Sequence, residues 1–123
     1  MKIVVAALGS LAMLGGAASA EAAAGDATHG RAVFARCIAC HDTATGANRI
    51  GPSLKGVVGR KAASAAGFNY SAALKGKNVA WTSAALDSFL TAPSRYAPGT
   101  RMVIAVPDPK DRADLVAYLT TLR

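Results

Sequence analysis

The chain has 123 residues, a formal net charge of +7 and two cysteines, Cys37 and Cys40. That length allows one domain, two cysteines exclude a disulfide-dense scaffold, and no internal stretch of about 20 apolar residues offers a membrane span. The hydrophobic share of 52% overstates the core, because 29 of the 64 apolar residues are alanine and only seven residues are aromatic. A small domain with so few large side chains usually compensates with a disulfide, a metal or a bound cofactor.

The chain opens on a positive start, Met1-Lys2, an apolar run from Ile3 to Leu14, and a small-residue exit, Ala18-Ser19-Ala20. This is the layout of a secretory signal peptide over 1–20, leaving a single domain over 21–123; cleavage after Ala24 fits as well. Cleavage after Ala20 leaves 13 basic and 7 acidic residues, a charge of +6. The compartment is then oxidising, and the alanine-rich composition points to a bacterial periplasm. From Asp26 to about Ala39, Val33, Phe34, Cys37 and Ile38 share one helical face. The stretch 41–69 holds five glycines and Pro52 and reads as loop. Ser71 to Lys75 reads as a short helix capped by Ser71 and stopped by Gly76. Thr82 to Thr91 is a second helix, with Thr82 as cap, Leu86, Phe89 and Leu90 as its apolar stripe, and Pro93 as its end. Pro93 to Pro107 reads as loop. Asp108-Pro109 starts a last helix, whose face is Leu115, Leu119 and Leu122, flanked by Val116 and Tyr118. No strand alternation persists, so the class is all-α, and so long a loop region needs something to wrap.

Cys37-Ile38-Ala39-Cys40-His41 supplies a reason. C-x-x-C-H is the attachment motif of c-type haem. Two cysteines three apart at a helix end put both sulfurs on one side, where they can bond the two vinyl groups along one haem edge, and the next histidine supplies an axial nitrogen. Three other readings compete. A redox-active dithiol needs the motif after a strand in a βαβ unit. A zinc site needs four N or S ligands, and Cys37, Cys40, His41 and His29 fit no zinc spacing. A plain Cys37–Cys40 disulfide would close a tiny ring and stabilise little.

The other face of the iron separates carrier from enzyme. Met102 is the only methionine beyond the signal segment, and it lies in a Pro/Gly loop where a packing methionine is unusual. His29 lies eight residues before Cys37 on the same predicted helix, about 12 Å along its axis, and reads as a surface residue. A His41/Met102 pair fills the coordination sphere and raises the potential. The alternative is a haem enzyme, or a gas or redox sensor, in which the sixth ligand is labile.

In order along the chain stand Gly30, Phe34, the C-x-x-C-H motif, Gly51-Pro52-x-Leu54-x-Gly56, Gly59-Arg60, Gly67-Phe68-x-Tyr70, Trp81, Pro98-Gly99-Thr100-Arg101-Met102 and Arg112-Ala113-Asp114-Leu115-x-Ala117-Tyr118-Leu119. The chain from 25 to 122 thereby resembles the class I c-type cytochromes, mitochondrial cytochrome c and its soluble bacterial relatives. The resemblance implies a small cytochrome c fold of three to five helices and long loops around one covalently bound haem c, held through Cys37 and Cys40. It implies that the first and last helices cross near Gly30, with Phe34, Leu115 and Tyr118 at the contact. It implies that the Pro52 carbonyl accepts the His41 ring N–H, and that Arg60, Tyr70, Trp81 and Thr100 surround the haem propionates. Phe89 stands where the mitochondrial pattern has a tyrosine near the methionine sulfur, Leu74 where it has an asparagine, and Ile104 where it has an aromatic. Val106-Pro107 replaces a glycine in a loop one residue shorter.

The function implied is single-electron transfer between redox proteins by a monomer that is not an enzyme. The charge is not a nucleic-acid signal, since there is no basic run and no stacking platform. Arg36, Lys55, Arg95 and Arg101 are expected to border the exposed haem edge and to steer acidic partners. Such partners would be a membrane redox complex (quinol-cytochrome c oxidoreductase, terminal oxidase or photosynthetic reaction centre) or a periplasmic dehydrogenase. No stable membrane insertion is expected.

Overall fold

The computed structural model describes residues 25–123; the expected signal segment and both cleavage points lie outside the described residues. Among the described residues five α-helices follow one another: α1 Ala27–Val33, α2 Ala72–Lys75, α3 Ser83–Thr91, α4 Pro93–Tyr96 and α5 Pro109–Thr120. Among the described residues the extended pairing is one isolated antiparallel bridge, Lys61 to Ala80. The architecture is all-α, and none of the described helices is long and apolar enough to cross a membrane.

Side chains set most helix starts. The Asp26 carboxylate accepts the N–H groups of Thr28 and His29, Ser71 that of Leu74, Thr82 that of Ala85, and Asp108 that of Asp111. Each satisfies an N–H that has no partner inside its helix. The first helix is shorter than its periodicity predicts. It ends at Val33 and tightens into a 3-10 turn over Phe34–Arg36. The chain then folds on itself: the N–H groups of Cys40 and His41 both reach the Cys37 carbonyl oxygen at 3.1 Å. This turn, and not a continued helix, places Cys37, Cys40 and His41 together. The stretch 93–107 is also not all loop. Pro93 both ends α3 and opens α4, since its fixed φ suits a first helical position and its missing N–H is not needed there.

α1 and α5 cross at Gly30. A Cβ there would lie 1.8 Å from the Asp114 carbonyl oxygen, so only glycine allows the approach. One turn on, the Phe34 and Tyr118 rings pack at 5.3 Å. Leu115, Val116 and Leu119 of α5 are buried against Leu86, Phe89 and Leu90 of α3 and against Val33 and Phe34. Leu122 is only half-buried against this core.

Two polar residues of α5 share that burial. Asp114 is 2% exposed and Arg112 is 9% exposed. The Asp114 carboxylate accepts from the Asp26 N–H at 2.7 Å, from Lys110 Nζ at 2.6 Å, and pairs with His29 Nδ1 at 2.7 Å. It therefore ties the start of α1 to α5. His29, expected at the surface, is half-exposed and engaged in this clasp.

Candidate cofactor site

The Cys37–His41 turn, the loop 50–60, the segment 68–74, α3 and the strap 100–104 close around a cavity of about 360 Å³, floored by Leu115 and Leu119 of α5. Cys37, Cys40 and His41 line it on one side. Pro52, Arg60, Tyr70, Trp81, Phe89, Thr100 and Met102 line the rest. All ten of the expected cofactor and iron residues thus meet in one space. The turn that holds both cysteines follows a helix, unlike a redox dithiol placed after a strand.

The His41 ring is held in one orientation. Its Nδ1 lies 2.7 Å from the Pro52 carbonyl oxygen. A carbonyl can only accept, so Nδ1 carries the proton and Nε2 keeps its lone pair. Gly51 lies close against the ring: a Cβ there would sit 2.4 Å from His41 Cε1. The loop is fixed by the Gly51 N–H on the Cys40 carbonyl at 2.9 Å. Burial holds the His41 pKa below the usual histidine value, the bond to Pro52 works the other way, and the nearby Arg60 charge adds to the lowering. The imidazole is therefore neutral at neutral pH, the state a metal requires. Burial pushes the Cys37 thiol up, against the neighbouring Arg36 charge, which pulls it down; Cys40 adds to the rise.

Part of the cavity lining is apolar, and part of it is polar. Trp81 packs on Phe89 with ring centroids 5.1 Å apart, and Phe89 meets Tyr96 edge-on at 5.7 Å. Leu74 adds an aliphatic face. The Arg60 guanidinium donates to the carbonyls of Ser53 at 2.9 Å and Lys55 at 3.2 Å, while its Nε is buried without a partner. The buried Thr100 hydroxyl is also without a partner. The Tyr70 oxygen accepts the Ala65 N–H at 3.0 Å, which leaves its proton to donate. A buried donor with no partner is costly, so these lining residues suit a group bearing acceptor oxygens. Two neighbouring cysteines, apolar lining residues and buried donors without partners fit haem, with its vinyl edge, its flat apolar body and its propionates.

The chain matches the protein-family model described as cytochrome c over residues 27–123. It is 46% identical over 106 residues to cytochrome c of Guizotia abyssinica, covering 84% of this chain and 96% of that protein. It is 45% identical over 116 residues to cytochrome c2 of Rhodomicrobium vannielii, covering 90% and 93%. Among solved structures it resembles cytochrome cH from Methylobacterium extorquens, with 45% identity, a TM-score of 0.75 and coverage of 79% of this chain and 99% of that one.

The chain belongs to the cytochrome c family. It has the small all-α cytochrome c fold and one covalently bound haem c, with Cys37 and Cys40 at the attachment motif. Membership makes it an electron carrier. Around this cytochrome c cavity the four basic residues expected at the rim divide. Arg36 and Arg101 line it, whereas Lys55 and Arg95 are exposed but do not. Part of the Arg101 guanidinium is engaged by the Asn69 carbonyl. Composition did not announce the aliphatic mouth. Ile50 is 79% exposed, Val103 69% and Ile104 46%, and all three line the cavity; Ile38, between the cysteines, is also exposed. Exposed large aliphatics at successive loop positions leave no periodic signal to read. Arg49 was likewise not legible: its guanidinium donates to the carbonyls of Ile38 at 2.9 Å and Ala39 at 3.3 Å and braces the cysteine turn from outside.

Proposed function

We propose that the chain is a soluble periplasmic single-electron carrier in which His41 and Met102 are the two axial ligands of the haem iron. Haem c supplies a one-electron ferric/ferrous couple. The observation that carries the reading is that Met102 and His41, which belong to different segments, line the same cavity. His41 is oriented by Pro52 and offers Nε2; Met102 offers a soft thioether that favours the ferrous state. With both positions taken, no iron site is open to substrate, which makes this a carrier and not an enzyme. Arg60, Tyr70, Trp81 and Thr100 hold the propionate edge and exclude water from it. The opening segment is read as a secretory signal removed after Ala20, which delivers the domain to the periplasm.

Partner contact is assigned to the cavity mouth. Ile50, Val103 and Ile104 give it an apolar centre, with Arg36 and Arg101 beside it. Lys55 and Arg95 contribute long-range attraction only. The fitting partner is an acidic patch on a membrane redox complex or a periplasmic dehydrogenase. Electron-transfer rates with such a partner should fall as ionic strength rises. Rates indifferent to salt would remove the steering role.

Carbon monoxide binding to the ferrous protein and cyanide binding to the ferric protein test the carrier reading. Slow, weak binding at neutral pH is expected from a filled iron site. Fast, tight binding would make the protein a haem enzyme or sensor with a labile sixth ligand.

A further inference from the structure

The strap that carries Met102 is fastened at both ends. On the leading side the Thr100 N–H reaches the Ala97 carbonyl at 2.9 Å, and Arg101 donates to the Asn69 carbonyl. On the trailing side the Val106 N–H reaches the Leu90 carbonyl at 2.8 Å, and Val106 is 1% exposed. Between these fastenings run Met102 to Ala105, with the side chains of Val103 and Ile104 in solvent. Whatever holds the trailing end limits how far Met102 can move.

Arg112 is what that end rests on. One of its terminal nitrogens donates to two successive strap carbonyls, Val106 at 3.0 Å and Pro107 at 2.8 Å. Its Nε donates to Asp87 Oδ1 at 2.7 Å. A single guanidinium therefore joins the strap to α5 and, through Asp87, to α3. Charged donors bind carbonyls more strongly than neutral ones, and the Asp87 carboxylate offsets the cost of burying the cation. We propose that Arg112, steadied by Asp87, is a positioning residue for Met102 that sets how much of the time the thioether stays on the iron. The proposal rests on the His41/Met102 reading above.

The test is an imidazole titration of the ferric holoprotein, in which imidazole enters only where Met102 has left. Apparent affinity scales with the open fraction, so Asp87→Ala and Arg112→Lys should each bind imidazole about tenfold more tightly than the wild type. Asp114→Asn is the control. It sits on the opposite face of α5, weakens the clasp to α1 and touches nothing in the strap, so it should change imidazole affinity by less than about twofold. If the Asp87 and Arg112 variants move the affinity no more than Asp114→Asn does, Arg112 serves only the fold and the proposal is overturned. A wild-type ferric protein with no thioether-to-iron absorption band overturns the axial reading and this proposal together. The band present with affinity unmoved overturns this proposal alone.

Discussion

His41 Nδ1 donates to the Pro52 carbonyl oxygen at 2.7 Å, and the residue before that carbonyl, Gly51, lies against the same ring. The two contacts fix the imidazole tautomer and the ring tilt together. A ligand whose second nitrogen is hydrogen-bonded is a more basic and better oriented donor.

Gly51→Ala should therefore disturb the proximal side more than any change at Pro52 itself. The added Cβ would stand 2.4 Å from His41 Cε1, and relief requires the ring or the loop to shift, at a cost of about 1–3 kcal/mol. Pro52→Ala keeps the carbonyl and should cost less. Thermal unfolding, together with the paramagnetically shifted His41 ring resonances of the ferric protein, separates the two: large shifts are expected in Gly51→Ala and small ones in Pro52→Ala.

Acid stability should carry the signature of Asp114. The Lys110 ammonium and the Asp26 N–H, helped by His29, hold its carboxyl down at about 2 against an ordinary value of 3.8, with burial opposing. The folded value is the lower one, so the stabilisation is fully present above pH 4 and is lost as pH falls toward 2. Asp114→Asn should lower stability at neutral pH and flatten the loss between pH 4 and pH 2. Chemical denaturation across that range measures it, and a wild-type curve with the same slope as the variant would remove Asp114 from the account.

The orphaned donors define a third outcome. Among the described residues Arg60 Nε and the Thr100 hydroxyl are buried without partners, and both residues are assigned to the propionates. Removing the positive charge there should favour the ferric state, and Arg60→Gln should lower the midpoint potential by roughly tens of millivolts. Thr100→Val removes a neutral donor and should shift the potential less. A potentiometric titration of both variants checks the order.

Much of this was legible in the sequence because it rests on local chemistry. Ser71, Thr82 and Asp108 announce helix starts by their side-chain oxygens, and the Cys37-to-His41 spacing announces the cofactor. The clasp at Asp114 and the bracket at Arg112 were not legible. Each depends on partners 88 and 25 residues away, and a charged residue on a helix otherwise reads as solvated surface. The end of α1 was misjudged for a related reason. Val33, Phe34, Cys37 and Ile38 keep helical spacing, but the Cys37 carbonyl takes the N–H groups of both Cys40 and His41 and closes a turn in place of a further helical step. In the sequence Pro93 reads only as a stop, because a four-residue helix has no periodicity to display.

The axial pair is tested most directly by absorption spectra of the holoprotein in both oxidation states, for the wild type and Met102→Ala. The account predicts a sharp low-spin ferrous spectrum and, in the ferric wild type, a weak red band from the thioether-to-iron bond that disappears in Met102→Ala. A wild-type ferric protein that is high-spin, or a red band that survives in Met102→Ala, would contradict it.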